Sequence, residues 1–220
     1  MKYSIKHNPS YALLDVELEP GETIQSEAGV MVYMSDDAKI QTIMAGGFIT
    51  ALIRKLLGGE SMFYNIFTAP VRKLNLGLAP DLAGDIKKID LGITPVIIQR
   101  GSYLCSEPAI SLKTRFGGFR SLFSREGLFL LEANGQGVLY INSYGAIMEV
   151  DVDGEYILDT GHMVAFESSL NFEVSKTGGW KSTLLSGEGF TMRFKGKGKL
   201  WIQTRVPGGF IYWLMRLLPS

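Results

Sequence analysis

Three stretches of this 220-residue chain fall into register when they are aligned on their glycines. The first begins "LEPGETIQSEAGVMVYM" and resumes at "GGFITALIRKLLGGESMFYNIFTAPVRKLNLG". The second is "IIQRGSYLCSEPAISLKTRFGGFRSLFSREGLFLLEANGQGVLYINSYG", and the third "EYILDTGHMVAFESSLNFEVSKTGGWKSTLLSGEGFTMRFKGKGKLWIQT". Glu27, Glu107 and Glu167 match in this alignment, as do the pairs Gly46-Gly47, Gly117-Gly118 and Gly178-Gly179. Phe63, Phe129 and Phe190 also match, and so do Leu74, Leu139 and Leu200. Self-similarity at a near-constant spacing requires one supersecondary unit to be built several times and packed against its own copies. The expected organisation is a single domain over 1–220. It holds internal repeats at about 1–92, 93–152 and 153–206, related by a pseudo-threefold axis, and ends in a C-terminal apolar helix at 208–218.

Within each copy the apolar period is two. Leu170, Phe172 and Val174 alternate with Ser169, Asn171, Glu173 and Ser175, and Ile110 and Leu112 alternate with Ser111 and Lys113. That is the pattern of a strand with one buried face. "EPGE" at 19–22, "NGQG" at 134–137 and "GKGK" at 196–199 carry turn chemistry, with glycine supplying the left-handed backbone. Each glycine pair opens a short helix or turn. At 48–57 it is a full helix, with Phe48, Ile49, Leu52, Ile53 and Leu56 on one face and Thr50, Arg54 and Lys55 on the other. The expected fold class is therefore mainly β. It comprises three pseudo-threefold-related β-sandwich or short double-stranded β-helix repeats, with short helices at 48–57 and near the C-terminus.

Charge and cysteine narrow the function classes. Lys+Arg and Asp+Glu both number 22, so no basic surplus exists to grip a phosphate backbone, and no nucleic-acid partner is expected. A net charge near zero favours self-association. The single cysteine, Cys105, excludes an intrachain disulfide and any multi-cysteine metal site. It is read as a small apolar core residue at the end of a strand. The N-terminal segment shows no secretory pattern, and no stretch approaches the ~20 apolar residues of a membrane-spanning helix. The expected location is cytoplasmic.

The stretches "EPGETIQSEAGVMVYM", "GGFITALIRKLLGGESMF", "REGLFLLEANGQGVLYINSYG" and "GKGKLWIQT" resemble the altered-inheritance-of-mitochondria 24 family over roughly 11–206. The resemblance implies three repeats of a short double-stranded β-helix, similar to the tryptophan RNA-binding attenuation protein. Here one chain would form a pseudo-trimer instead of a ring of separate subunits. The family has no agreed biochemical activity, so no catalytic residues carry over. Its mitochondrial members imply a link to inner-membrane organisation, a location that does not transfer to a chain without a transit peptide.

The candidate sites are few. His7 and His162 are the only histidines, too few for the three or four clustered ligands of a zinc site, and no spacing joins His162 to Ser168 or Cys105 as a nucleophile pair. No metal and no cofactor are expected. Glu27, Glu107 and Glu167 would form an axial ligand site if their copies meet on the axis; otherwise they accept backbone N–H bonds at a repeated bend. "KGKGK" at 195–199 lacks phosphate-loop spacing and reads as a turn with exposed charge. Phe48, Leu52 and Leu56 of the first helix, with Phe210, Trp213, Leu214 and Leu217 of the tail, are the expected oligomer or membrane contacts.

The leading functional expectation is a non-enzymatic oligomeric scaffold or binding module. A peripheral membrane protein using helices 48–57 and 208–218 is one alternative. A small-molecule binder with a pocket between repeats is another.

Overall fold

A computed structural model describes residues 1–44, 63–116, 129–176 and 190–218. The three glycine pairs and the expected helix at 48–57, with Phe48, Leu52 and Leu56, lie outside these residues. The chain is mainly β, with a short α-helix, α1 (Pro207–Met215), near its C-terminus.

Three sheets carry the fold. In the first the order is β1 (Lys2–Lys6), β2 (Leu13–Leu18), β7 (Leu74–Leu78) and β4 (Met31–Met34). The second runs β5 (Lys39–Met44), β6 (Phe63–Thr68), β3 (Thr23–Glu27), β10 (Tyr103–Ser106), β13 (Gly137–Asn142) and β8 (Ile86–Leu91). The third runs β11 (Ser111–Phe116), β12 (Phe129–Asn134), β9 (Val96–Gln99), β15 (Met163–Glu167), β17 (Phe190–Gln203) and β14 (Ile147–Asp159), with β16 (Asn171–Lys176) also paired to β17.

These sheets enclose three cores. Leu14, Val16 and Leu18 of β2 and Leu74, Leu76 and Leu78 of β7 face Ile24, Phe67, Leu104, Cys105 and Tyr140 of the second sheet. The other face of the second sheet, through Ile89, Tyr103, Leu139 and Ile141, meets Ile98, Leu131, Val164 and Trp201 of the third. Ile97, Phe166 and Leu200 then carry the opposite face of the third sheet into a last core. Strands such as "VIIQ", "YLCS" and "MVAFE" are buried on both sides, which is why they read as apolar runs and not as alternation.

No fourth sheet covers the last core among the described residues. Instead β17 supplies both sides, with Met192 and Phe194 packed in the same cluster as Leu200 and Ile202. The strand must bend between them. It does so at Gly196 (φ 129°), which pairs across the ladder with Gly154 of β14 (φ 108°), both in a region that L side chains avoid. The rings of Phe166, Phe172 and Phe194 fill the fold, with centroids 5.1–6.2 Å apart.

The bend corrects one expectation. "GKGK" is not a turn between strands; it lies inside β17, whose pairing with β14 is continuous from Thr191 to Gln203. Glycines chosen for a left-handed backbone here serve a corner within a ribbon. Its lysines stand directly across from acids, Lys195 from Glu155, Lys197 from Asp153 and Lys199 from Asp151, and each makes an ion pair with that acid. Lys199 also pairs with Glu149, holding that carboxyl down at about 2, with help from Trp201 and Lys87. The lysine stripe is thus neutralised along its length.

Two further regularities position the ends of the strands. The hairpin ladders β5–β6, β11–β12 and β16–β17 each have six rungs and begin at Phe63, Phe129 and Phe190. Strands β4, β10 and β15 each carry one bulged residue, between Met31 and Tyr33, Tyr103 and Cys105, and Met163 and Ala165.

Loops at one end are fixed by backbone contact. A Cβ built on Gly84 would lie 1.7 Å from the carbonyl oxygen of Ser143, whereas one on Gly92 would meet nothing within 4 Å. Gly84→Ala is therefore expected to lower stability by about 2–3 kcal/mol, with Gly92→Ala near neutral, as read by thermal or urea unfolding of the two variants side by side.

Candidate functional site

The Gly84 loop leads to a cavity of about 390 Å³ at the ends of the strands. Its wall is assembled from Glu27 at the end of β3 and Val30 just before β4, Pro80–Leu82 after β7, and Gln99–Ser102 from the end of β9 to the start of β10. Asn142–Tyr144 after β13, Gln203 at the end of β17 and Pro207 at the start of α1 complete it. Each is a place where a strand stops, so the polar backbone there needs partners outside the ladders. Gln203 provides two: its Nε2 donates to the Gly161 carbonyl at 2.9 Å, and its Oε1 accepts from the Tyr144 N–H at 2.9 Å. The Asn142 N–H donates to the Ser102 carbonyl at 2.8 Å, and the Gly101 turn (φ 80°) is closed by Ser102 N–H on Gln99. These bonds make the wall rigid.

The charges in the wall are Glu27, Asp81 and Arg100. Burial first, and the neighbouring Asp81 second, push the Glu27 carboxyl up to about 7, while Arg100 pulls it back. This carboxyl therefore changes charge across the neutral range. Asp81 and Arg100 were invisible in the sequence because each sits in a loop with no periodic pattern, and only the topology brings them to Glu27.

The three matched glutamates do not act alike. Glu107 accepts the Val138 N–H at 3.0 Å and a bond from the Tyr3 hydroxyl, and Glu167 accepts the Lys199 N–H at 2.9 Å. Both clasp the neighbouring strand at the end of the bulged one, Glu107 just past β10 and Glu167 as the last residue of β15. In the first sheet that job falls to Ser35, whose Oγ accepts the Asn75 N–H at 3.0 Å. Glu27 stands elsewhere, on the last rung of the β3–β6 ladder opposite Tyr64, the place that Gln99 takes opposite Leu130. Only Glu27 of the three lines the cavity. Among the described residues no group of three His, Cys, Asp or Glu side chains is arranged to hold a metal ion.

The remaining singled-out residues are apart. Cys105 is wholly buried, and burial pushes its thiol ionisation up, opposite to the shift of an activated nucleophile. His162 is bonded through Nδ1 to the Gln203 carbonyl at 2.7 Å, and His7 occupies a left-handed turn (φ 58°) between β1 and β2. The tail forms α1 as expected, opened by Pro207 at its first position, where a missing N–H costs nothing. Phe210, Ile211, Trp213, Leu214 and Met215 are 39–65% exposed along it, and Leu217 and Leu218 beyond it are exposed too. The helix touches the body through Phe210 on Tyr144, ring centroids 6.2 Å apart. No described helix is long and apolar enough to cross a membrane.

Fold and site together define a class: a layered antiparallel β protein whose polar cavity is lined by strand-end loops. Comparison with known proteins gives the class its family. The chain belongs to the family described as mitochondrial biogenesis AIM24, whose model matches residues 3–205. An uncharacterised protein of Streptococcus pyogenes serotype M6 is 28% identical over 229 residues, covering 100% of this chain and 92% of the relative. A crystal structure of a Streptococcus pyogenes protein is similar throughout, with a TM-score of 0.83 at 27% identity and 99% of each chain covered.

The raised Glu27 carboxyl sets a pH dependence. Unfolded, the group ionises near its usual 4.5; folded, near 7. Between these values the native state holds the extra proton, so this contribution to stability falls as pH rises through the window and levels above it. Glu27→Gln is expected to remove that slope and, above pH 7.5, to stabilise the chain by on the order of 2 kcal/mol, measured as unfolding free energy against pH.

Proposed function

We propose that the chain is a non-enzymatic scaffold or binding module that works as a homo-oligomer, made of one β unit built three times in succession. Recurrence of the bulge in β4, β10 and β15, the six-rung ladders and the strand clasp by Ser35, Glu107 and Glu167 support the threefold reading. In this reading Ser35, not Glu27, is the counterpart of the two glutamates. Leu76, opposite the bulged strand at Met34, is the counterpart of Leu139 and Leu200.

The observation that carries the oligomer is α1. A nine-residue helix with five exposed large apolar side chains needs cover that the described residues of its own body do not give. The cover is protein, in a reducing compartment, with no nucleic acid or metal as partner. Light scattering after size exclusion is expected to give a mass of more than one chain, and a strictly single-chain particle at high concentration would count against the proposal. Truncation before Gly208 is expected to weaken the assembly.

Two observations favour other uses. Exposed Trp213 beside Arg216 suits a membrane surface, and flotation with liposomes that disappears on the same truncation would support it. The cavity with Glu27, Asp81 and Arg100 suits a small polar ligand. A metabolite that raises the melting temperature of the parent but not of Glu27→Gln would support that use.

A further inference from the structure

The sheets are joined across the chain by two equivalent seams, and the ends of the molecule offer the two halves of a third. In the first seam β3 pairs with β10, placing Ser26 opposite Cys105 and Gln25 opposite Ser106. In the second β9 pairs with β15, placing Ile98 opposite Ala165 and Ile97 opposite Phe166. Each joins the strand that backs a six-rung hairpin to a bulged strand. Two edges of those kinds remain. One is β4, the bulged strand at the edge of the first sheet. The other is the Glu155–Asp159 half of β14, which backs the β16–β17 hairpin.

Among the described residues neither edge has a strand beside it, and their burial agrees. The seam strands β10 and β15 are buried almost throughout, whereas all four residues of β4 are exposed. Val32 is 58% and Ile157 of β14 is 56% accessible. An apolar edge with free N–H and C=O groups is a template for pairing with another chain.

We infer that β4 of one molecule pairs antiparallel with the Glu155–Asp159 edge of a second copy of this chain, repeating between molecules the seam made twice within each. The register follows from the internal templates. Gln25 and Ile97 stand opposite the fourth residue of their hairpin's second strand, Ile66 and Glu132, and on β14 that place is Ile157, opposite Arg193. Ser106 and Phe166 stand opposite Leu139 and Leu200, and on β4 that place is Met34, opposite Leu76. Met34 therefore meets Ile157, and Tyr33 meets Leu158. The contact is heterologous, so each molecule gives one edge and receives the other, and copies joined at both ends leave neither of these two edges free, forming a ring where the rotation between copies closes. The inference rests on the homo-oligomer proposed above and adds a second surface to the one that α1 offers.

The test uses the full chain. Met34→Cys and Ile157→Cys variants, co-expressed, are expected to give on mild oxidation one mixed disulfide dimer, with little product from either variant alone. Facing residues of an antiparallel pair come within disulfide reach, and Cys105 is wholly buried and takes no part. The double variant is expected to give interchain products; a crosslinked single chain would mean that the edges close within the molecule and would overturn the assignment. Val32→Lys puts a charge on the edge and is expected to reduce the light-scattering mass to that of one chain while leaving the far-ultraviolet circular dichroism of the parent. If the parent is itself a single chain, the oligomer proposal and this one fail together. If the parent assembles and neither Val32→Lys nor the cysteine pair responds, this surface alone is wrong.

Discussion

Everything in this molecule depends on sheets that serve two cores at once. Tyr103 and Leu104 are neighbours in β10, yet they belong to different hydrophobic clusters, as do Ile97 and Ile98 in β9. A strand in this position has no polar face to spare. Its backbone groups must be satisfied by neighbouring strands, and its side chains must match the packing on both sides. The bulges in β10 and β15 follow from this constraint. One extra residue shifts which side chains point to which core, so it sets the facing of everything beyond it.

The same constraint explains what the sequence showed and what it hid. Outer strands such as "NFEVSK" have one wet face, so their alternation was legible, and the tail was legible as a helix because an unbroken apolar run marks it. The burial of Cys105 was read from its apolar surroundings alone. The glycines of "GKGK" misled, because turn chemistry and a corner inside a long ribbon ask for the same backbone and differ only in a partner strand some 40 residues away, at Gly154. The match of Glu27 with Glu107 and Glu167 misled for a related reason. Ser35 does with a hydroxyl what the other two do with a carboxylate, and identity of residue type pointed past it. Asp81 and Arg100 carry no local pattern at all; their meeting with Glu27 is a product of topology.

The cavity and the edges answer different demands. At the strand ends, loops from across the chain converge, and their hydrogen bonds are spent on one another, leaving Glu27, Asp81 and Arg100 as the charged groups of the wall. At the two lateral margins the ladders simply stop. Helix α1 lies beside the first place, through Phe210 and Tyr144.

The seams also bear on synthesis. A ribosome releases β3, β5 and β6 well before β10, so for roughly 40 residues of elongation the growing chain exposes an acceptor margin awaiting its successor. The same wait recurs when β9 precedes β15. For β14 the order is reversed: the described strands made after it leave its outer margin unpaired, and the strand of matching kind, β4, was made about 120 residues earlier.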